Sequence, residues 1–211
     1  MMKKDKLVSN QDPSTEEKIK NAARKVFYQK GFAATRTRDI AQEAGINLAL
    51  LNYYFRSKQK LFDIIMLETI QGFFQSMRAV FNDPQTSLEK KIEILVDRYI
   101  DLLVHEPEIP LFIMSEIRTD PQGLVEKMDI KNILLNSYLV KQYEEAAGTG
   151  KVASQNLLHF LMNLIGLMVF PFIASPLIKI IGAMDDEKFN VLMEERKKLI
   201  PVWIGAMFKK T

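Results

Sequence analysis

Along the first sixty residues, apolar side chains recur at intervals of three and four between glycines, the period of short helices sharing one core. From Ser14 or Thr15 the spacing predicts a helix burying Ile19, Ala22, Ala23, Val26 and Phe27, with Glu16 and Glu17 at its N-terminus and Gly31 as its stop. A shorter helix over about 36–44, with Thr35 or Thr37 able to cap it, turns Ile40, Ala41 and Ala44 inward and closes at Gly45. Asn47 then caps a third helix in NLALLNYYF, residues 47–55. That helix carries two stripes. Ile46, Leu51 and Phe55 complete the shared core, which leaves Leu48, Ala49, Leu50, Asn52 and Tyr53 outside it. Two short helices joined by a glycine turn, with small Ala41 permitting close approach, read as a helix-turn-helix, whose second helix enters the major groove of duplex DNA.

Helical periodicity continues to the end of the chain. Strand alternation bounded by hairpin turns is absent, so the fold class is all-α. Ser57 caps a long helix reaching Asn82-Asp83-Pro84, and further helices are predicted over about 87–105, 109–118, 121–147, 152–175 and 185–209, with Pro201 kinking the last. The pattern divides the chain into a three-helix DNA-binding domain, residues 1–56, and a larger helical domain, residues 57–211. Residues 152–178 contain no Asp, Glu, Lys or Arg, which a membrane span would also satisfy. Against a span, Asn156, His159, Asn163 and Gly166 form one polar or small stripe, and Pro171 and Pro176 interrupt the end, as in a helix buried by protein. The reading adopted is no membrane association.

Charge sharpens the division. Residues 1–60 carry 13 Lys and Arg against 6 Asp and Glu, a net +7, whereas residues 61–211 carry 16 against 20, a net −4. A basic helical segment suits a polyanion, although a solvated basic surface has the same composition. The basic arm Lys3, Lys4 and Lys6 is able to follow a DNA backbone or minor groove, or to be a simple tail. With no cysteine, disulfides and thiolate chemistry are excluded, and the polar N-terminus lacks the apolar segment of a signal peptide. A cytoplasmic protein is expected.

Residues 31–62, GFAATRTRDIAQEAGINLALLNYYFRSKQKLF, resemble the N-terminal signature of the TetR family of transcriptional regulators. The matching positions are Gly31-Phe32, Thr35, Ile40-Ala41, Ala44-Gly45, Tyr53-Tyr54 and Phe55-Arg56-Ser57-Lys58. Arg36 departs from the pattern where a small hydroxyl is usual, and Asn52 where tyrosine is common. The resemblance implies that Leu48, Ala49, Leu50 and Asn52 face the groove and that Tyr53, Tyr54 and Lys58 approach phosphates. It also implies a twofold homodimer through the last two helices. Chemistry agrees with the groove assignment: thymine methyls accept apolar contacts, and Asn bonds adenine N6 and N7 bidentately. Asn47, at the start of this helix, is counted among the DNA-contacting residues, and Thr35, Thr37, Arg36 and Arg38 supply hydroxyls, amides and charge for phosphate.

Candidate effector-lining residues in the second domain are Phe73, Met77, Tyr99, Phe112, Met114, Tyr138, His159, Asn163 and Met168, large apolar groups or isolated polar groups on apolar helices. His159 with Asn163 is the preferred polar pair. An enzyme is not expected: His105 and His159 lack metal-ligand spacing, and neither a phosphate loop nor a GxSxG elbow occurs. No cofactor, metal or catalytic residue is assigned. The function read here is a DNA-binding repressor released from its operator by a small apolar ligand. The alternatives are a ligand-independent DNA-binding adaptor or architectural protein, and an all-α enzyme or membrane-associated protein.

Overall fold

The computed structural model describes residues 14–151 and 156–206, and the arm lysines Lys3, Lys4 and Lys6 lie outside them, as do the predicted helix limits at 152 and 209. The described residues form eleven α-helices and one π-helical turn, with no strand. They divide into two compact units, residues 1–65 and 66–211. The sequence places that boundary at 56/57. It moves into the long helix because Leu61, Phe62 and Ile65 are buried, with the Phe62 ring 5.2 Å from Phe27 and 4.6 Å from Phe32.

In the first unit, α1 (Thr15–Ala34) starts at Ser14, whose hydroxyl accepts from the Glu17 amide at 3.3 Å. Gly31 takes φ 72°, outside the helical region, so the predicted stop is a break within the residues assigned to α1. Helix α2 (Thr37–Glu43) is not capped by Thr35 or Thr37. Arg36 holds the N-cap position, and the Asp39 carboxylate reaches back to accept from the Arg36 amide at 3.0 Å. Gly45 at φ 66° turns the chain into α3 (Leu48–Phe55), capped by the Asn47 side chain accepting from the Leu50 amide at 2.8 Å. The core of this unit is built from Ile19, Ala23, Phe27, Ile40, Leu51, Phe55 and Leu61, all buried.

Helix α4 (Lys58–Asn82) belongs to both units, and Ser57 caps it through the Lys60 amide. The second unit continues with α5 (Leu88–His105), α6 (Ile109–Thr119), α7 (Pro121–Lys127), α8 (Tyr138–Gly148), α9 (Leu157–Ile173), α10 (Ser175–Gly182) and α11 (Asp186–Ala206). α5 packs on α11, and α9 touches both. The predicted helix over 121–147 is in fact two, separated by Asp129 at φ 50° and a π-helical turn at Lys131–Leu135. Asp tolerates that left-handed conformation, and its carboxylate accepts from the Asn132 side chain at 2.6 Å. A second departure is α10. Pro176 stands in its first turn, where a missing amide costs nothing, so this proline begins a helix. Helix α11 runs on through Pro201.

Lys91 on α5 is wholly buried. Its ammonium donates to Gln142 Oε1 at 2.8 Å and lies 4.8 Å from the Tyr138 ring centre, while Gln142 donates to the Thr86 carbonyl at 3.0 Å. Burial pushes the Lys91 pKa down, opposed by the Asp83 charge. No single helix among the described residues is long and apolar enough to cross a membrane. The pair α9 and α10 passes that test together but is bent by 69°.

Candidate nucleic-acid interface

The α3 side chains separate as their helical positions require. Leu51 and Phe55, four apart, are buried, and Leu48, Ala49, Asn52 and Tyr53 are exposed on the other side, with Leu50 half-buried. Leu48 is 42% exposed and Tyr53 79%, so neither is a core residue, and Ile46 is only half-buried. Tyr53 and Tyr54 stand edge to face at 5.4 Å, both exposed at the end of the same helix. Asn47 uses its carbonyl oxygen as the cap, which leaves its amide group facing solvent. This surface offers methyl and methylene groups, one amide at Asn52 and two phenols, the chemistry of thymine and adenine edges flanked by phosphate.

Around α2, Arg36 and Arg38 are exposed and Thr37 is half-buried. The Asp39 carboxyl sits below its ordinary range, chiefly because of the Arg36 amide hydrogen bond, with Lys30 adding an ion pair at 3.3 Å. A second surface pair, Lys25 with Glu43 at 2.5 Å, also ties α1 to α2. Thr35 is a correction to the sequence reading. It is 2% exposed and its hydroxyl donates to the Gly31 carbonyl at 2.7 Å, so it closes the end of α1 and presents nothing to phosphate. Lys58 has an internal task as well. Its ammonium donates to the carbonyls of Phe32 at 2.7 Å and Thr35 at 2.9 Å and lies 4.2 Å from the Phe32 ring centre. An ammonium has three donors, so one remains for a phosphate. Sequence reasoning missed this clamp because its acceptors are main-chain atoms 26 and 23 residues away.

In the second unit the nine candidate effector residues do not converge. Met77, Phe112 and Met168 are buried, Phe73 packs on Tyr99 at 5.1 Å, and Tyr138 lies beneath Lys91. Burial pushes the Tyr99 hydroxyl up to about 12. Met114 is exposed on α6, and His159 and Asn163 are exposed on α9, so the preferred polar pair faces outward from this chain. The polar or small stripe of Asn156, His159, Asn163 and Gly166 lies on the outer side of α9. Two clefts lie between α5 and α11. The larger, about 490 Å³, is lined by residues including Lys90, Glu93, Asp97, Glu194 and Lys197, and none of the nine candidates lines either. Burial disfavours the charged form of Lys197, but hydrogen bonds to Asp101 and Glu194 outweigh it and hold the pKa above the ordinary lysine range.

Comparison with known proteins bears on this arrangement. Residues 19–65 match the family described as bacterial regulatory proteins, tetR family. The chain is 25% identical over 207 residues to the "Probable HTH-type transcriptional regulator YttP" of Bacillus subtilis, covering 93% of this chain and 95% of that protein. It is 33% identical over 112 residues to the HTH-type transcriptional repressor NicS of Pseudomonas putida, a match spanning 51% of this chain and 50% of the repressor. Its fold is similar to that of the transcriptional regulator FadR from Bacillus subtilis, solved in complex with stearoyl-CoA. The TM-score is 0.54 at 16% identity, with 87% of this chain and 96% of the other covered.

Proposed function

Because this chain belongs to the TetR family of bacterial regulatory proteins and is a DNA-binding transcriptional regulator, we propose that it acts as a homodimeric repressor whose α3 helices read an operator and which a small apolar molecule releases. The observation that carries the reading is the division of α3: Leu51 and Phe55 fix the helix to its unit while Leu48, Ala49, Asn52 and Tyr53 stand free in solvent. Arg36, Thr37, Arg38, Asn47, Leu50, Tyr54 and the third donor of Lys58 surround that face. Phosphate contacts set register and base edges set preference. Thr35 is not part of the proposed interface.

Dimerisation through α9 and α11 is supported by the apolar side chains they leave exposed, including Leu158, Met162, Ile165, Val191, Leu199 and Val202. Two such modules on a twofold axis would meet successive major grooves, where half-site spacing is geometrically strict. The effector reading draws on α4, one continuous helix whose first turns pack in the DNA-binding unit and which carries Phe73 and buried Met77 in the second unit. Its neighbour α7 is tied to it by the Gln71 side chain, which donates to the Lys127 carbonyl. The FadR structure with stearoyl-CoA supports a long apolar ligand as the class to try first. Such a ligand must bind the released state more tightly than the DNA-competent one, with coupling of about 1–3 kcal/mol.

The test is selection of duplex sites from a random pool, followed by titration of the selected duplex with fatty acids and acyl thioesters. Enrichment of a twofold-related sequence and its release by one of these ligands are expected. Enrichment without release by any of them would leave a ligand-independent DNA-binding protein, and no enrichment at low salt would remove the operator reading.

A further inference from the structure

The chain passes from α3 into α4 through Arg56. The Arg56 amide closes the last bond of α3, donating to the Asn52 carbonyl at 3.0 Å, and the next amide, that of Ser57, donates back to the Phe55 carbonyl at 2.5 Å. A bond of that span encloses a γ-turn, and Arg56 at its centre takes φ 55° and ψ −36°. The positive φ makes it the rare and strained form of the turn. Glycine, without a Cβ, adopts this form as readily as its mirror image. At two other breaks of the same unit, Gly31 at φ 72° and Gly45 at φ 66°, the sequence supplies glycine. Here it supplies an arginine.

Nothing inside the unit uses that side chain. Arg56 is exposed, and among the described residues its guanidinium has no acceptor, whereas Lys25 pairs with Glu43, Lys30 with Asp39 and Lys58 with two carbonyls. The backbone is fixed from both flanks whatever residue stands between them: Phe55 is buried, and the Ser57 hydroxyl caps α4 through the Lys60 amide. Arg56 follows Asn52 by four residues and Tyr53 by three, so its Cα ends the exposed side of α3. Backbone strain that its surroundings over-determine clusters at binding sites.

We propose that Arg56 is a phosphate-binding residue of the DNA interface and that the strain of its γ-turn, uncompensated in the free chain, is offset by that contact. The guanidinium fork donates to two phosphate oxygens at once, which glycine in the same turn cannot do. The inference rests on the α3 interface proposed above and adds to it a residue that trades fold stability for affinity. Removing the side chain together with its Cβ should therefore tighten the joint between α3 and α4 and loosen the grip on DNA.

The experiment compares R56G and R56A in the full chain, because both remove the guanidinium and only R56G removes the Cβ. With a duplex selected by the wild-type chain, both are expected to bind about tenfold more weakly, with the slope of log affinity against log salt lower by about 0.9 for each module. K188Q, which removes an exposed charge from α11, is the control for net charge and should leave the slope unchanged. Hydrogen exchange of peptides from α3 and the first turns of α4 reads the strain: R56G should exchange about threefold more slowly than R56A. At an ordinary exposed position the order is the reverse, since glycine gains more freedom on unfolding than alanine. Wild-type affinity and slope in both variants would overturn the phosphate contact, as would an equal fall in slope with K188Q. Slower exchange in R56A than in R56G would overturn the strain. A wild-type chain that selects no duplex removes the α3 interface and this proposal with it.

Discussion

Replacing Lys58 by methionine separates two consequences of one side chain. The ammonium joins the start of α4 to the carbonyls of Phe32 and Thr35 at the end of α1, at 2.7 and 2.9 Å, and sits over the Phe32 ring. Hydrogen bonds to a charged donor contribute about 1.5–3 kcal/mol each, and a cation over an aromatic ring about 0.5–1 kcal/mol when exposed. Lys58 is only half-buried, so water competes for its ammonium in the wild-type chain. The lower ends apply, and relaxation reduces them further, to a net loss of about 2 kcal/mol. Methionine keeps the apolar stem, so packing changes little. Hydrogen exchange of α1–α3 peptides followed by mass spectrometry is the assay, because those amides belong to the unit being loosened. A loss of about 2 kcal/mol accelerates their exchange about thirtyfold at most, with α9 and α11 unchanged. If the remaining ammonium donor meets a phosphate, the slope of log affinity against log salt also falls by about 0.9 for each module. Exchange within about twofold of wild type would refute the clamp, whatever happens to DNA binding.

The other residues make separable predictions. Thr35→Val should lower stability by about 1–2 kcal/mol in urea unfolding, through the lost bond to Gly31, and leave the salt slope of DNA binding unchanged, since Thr35 is buried. Asn52→Ala should relax the preference for adenine at one position of each half-site by about 1–3 kcal/mol in competition binding, with little change in fold stability because Asn52 is exposed. The Asp39 carboxyl is more acidic in the folded chain than in the unfolded one, so its contribution is fully present above the unfolded carboxylate range and is lost as pH falls through the depressed folded value. Asp39→Asn should therefore flatten the acid limb of the stability profile below about pH 4, and an unchanged limb would show that the Arg36 amide contact adds nothing.

What was legible in the sequence is what local chemistry controls. Ser14, Asn47 and Ser57 were readable as caps because each accepts from an amide three residues ahead, and Gly31 and Gly45 as breaks because their backbones need positive φ. Leu51 and Phe55 were separable from Leu48 and Asn52 by period alone. Thr35 was misassigned because a hydroxyl beside two arginines has the same local pattern whether it faces phosphate or the Gly31 carbonyl; only the tertiary turn decides. The break at Asp129 follows from a left-handed residue that no glycine announced, and α10 from a proline read as an end when it was a beginning. The outward placement of His159 and Asn163 depends on which side of α9 meets α5 and α11, information that an uncharged helix does not encode locally.

Hydroxyl-radical footprinting of the protein with and without a selected duplex tests the central claim, that the outer face of α3 reads DNA, most directly. Tyr53 at 79% exposure and Leu48 at 42% should be labelled readily in the free chain. With duplex bound, their labelling is expected to fall about fivefold or more, as burial in a groove excludes solvent, while Met114 on α6 keeps its free rate. Labelling of Tyr53 and Leu48 that is unchanged in the saturated complex would contradict the account.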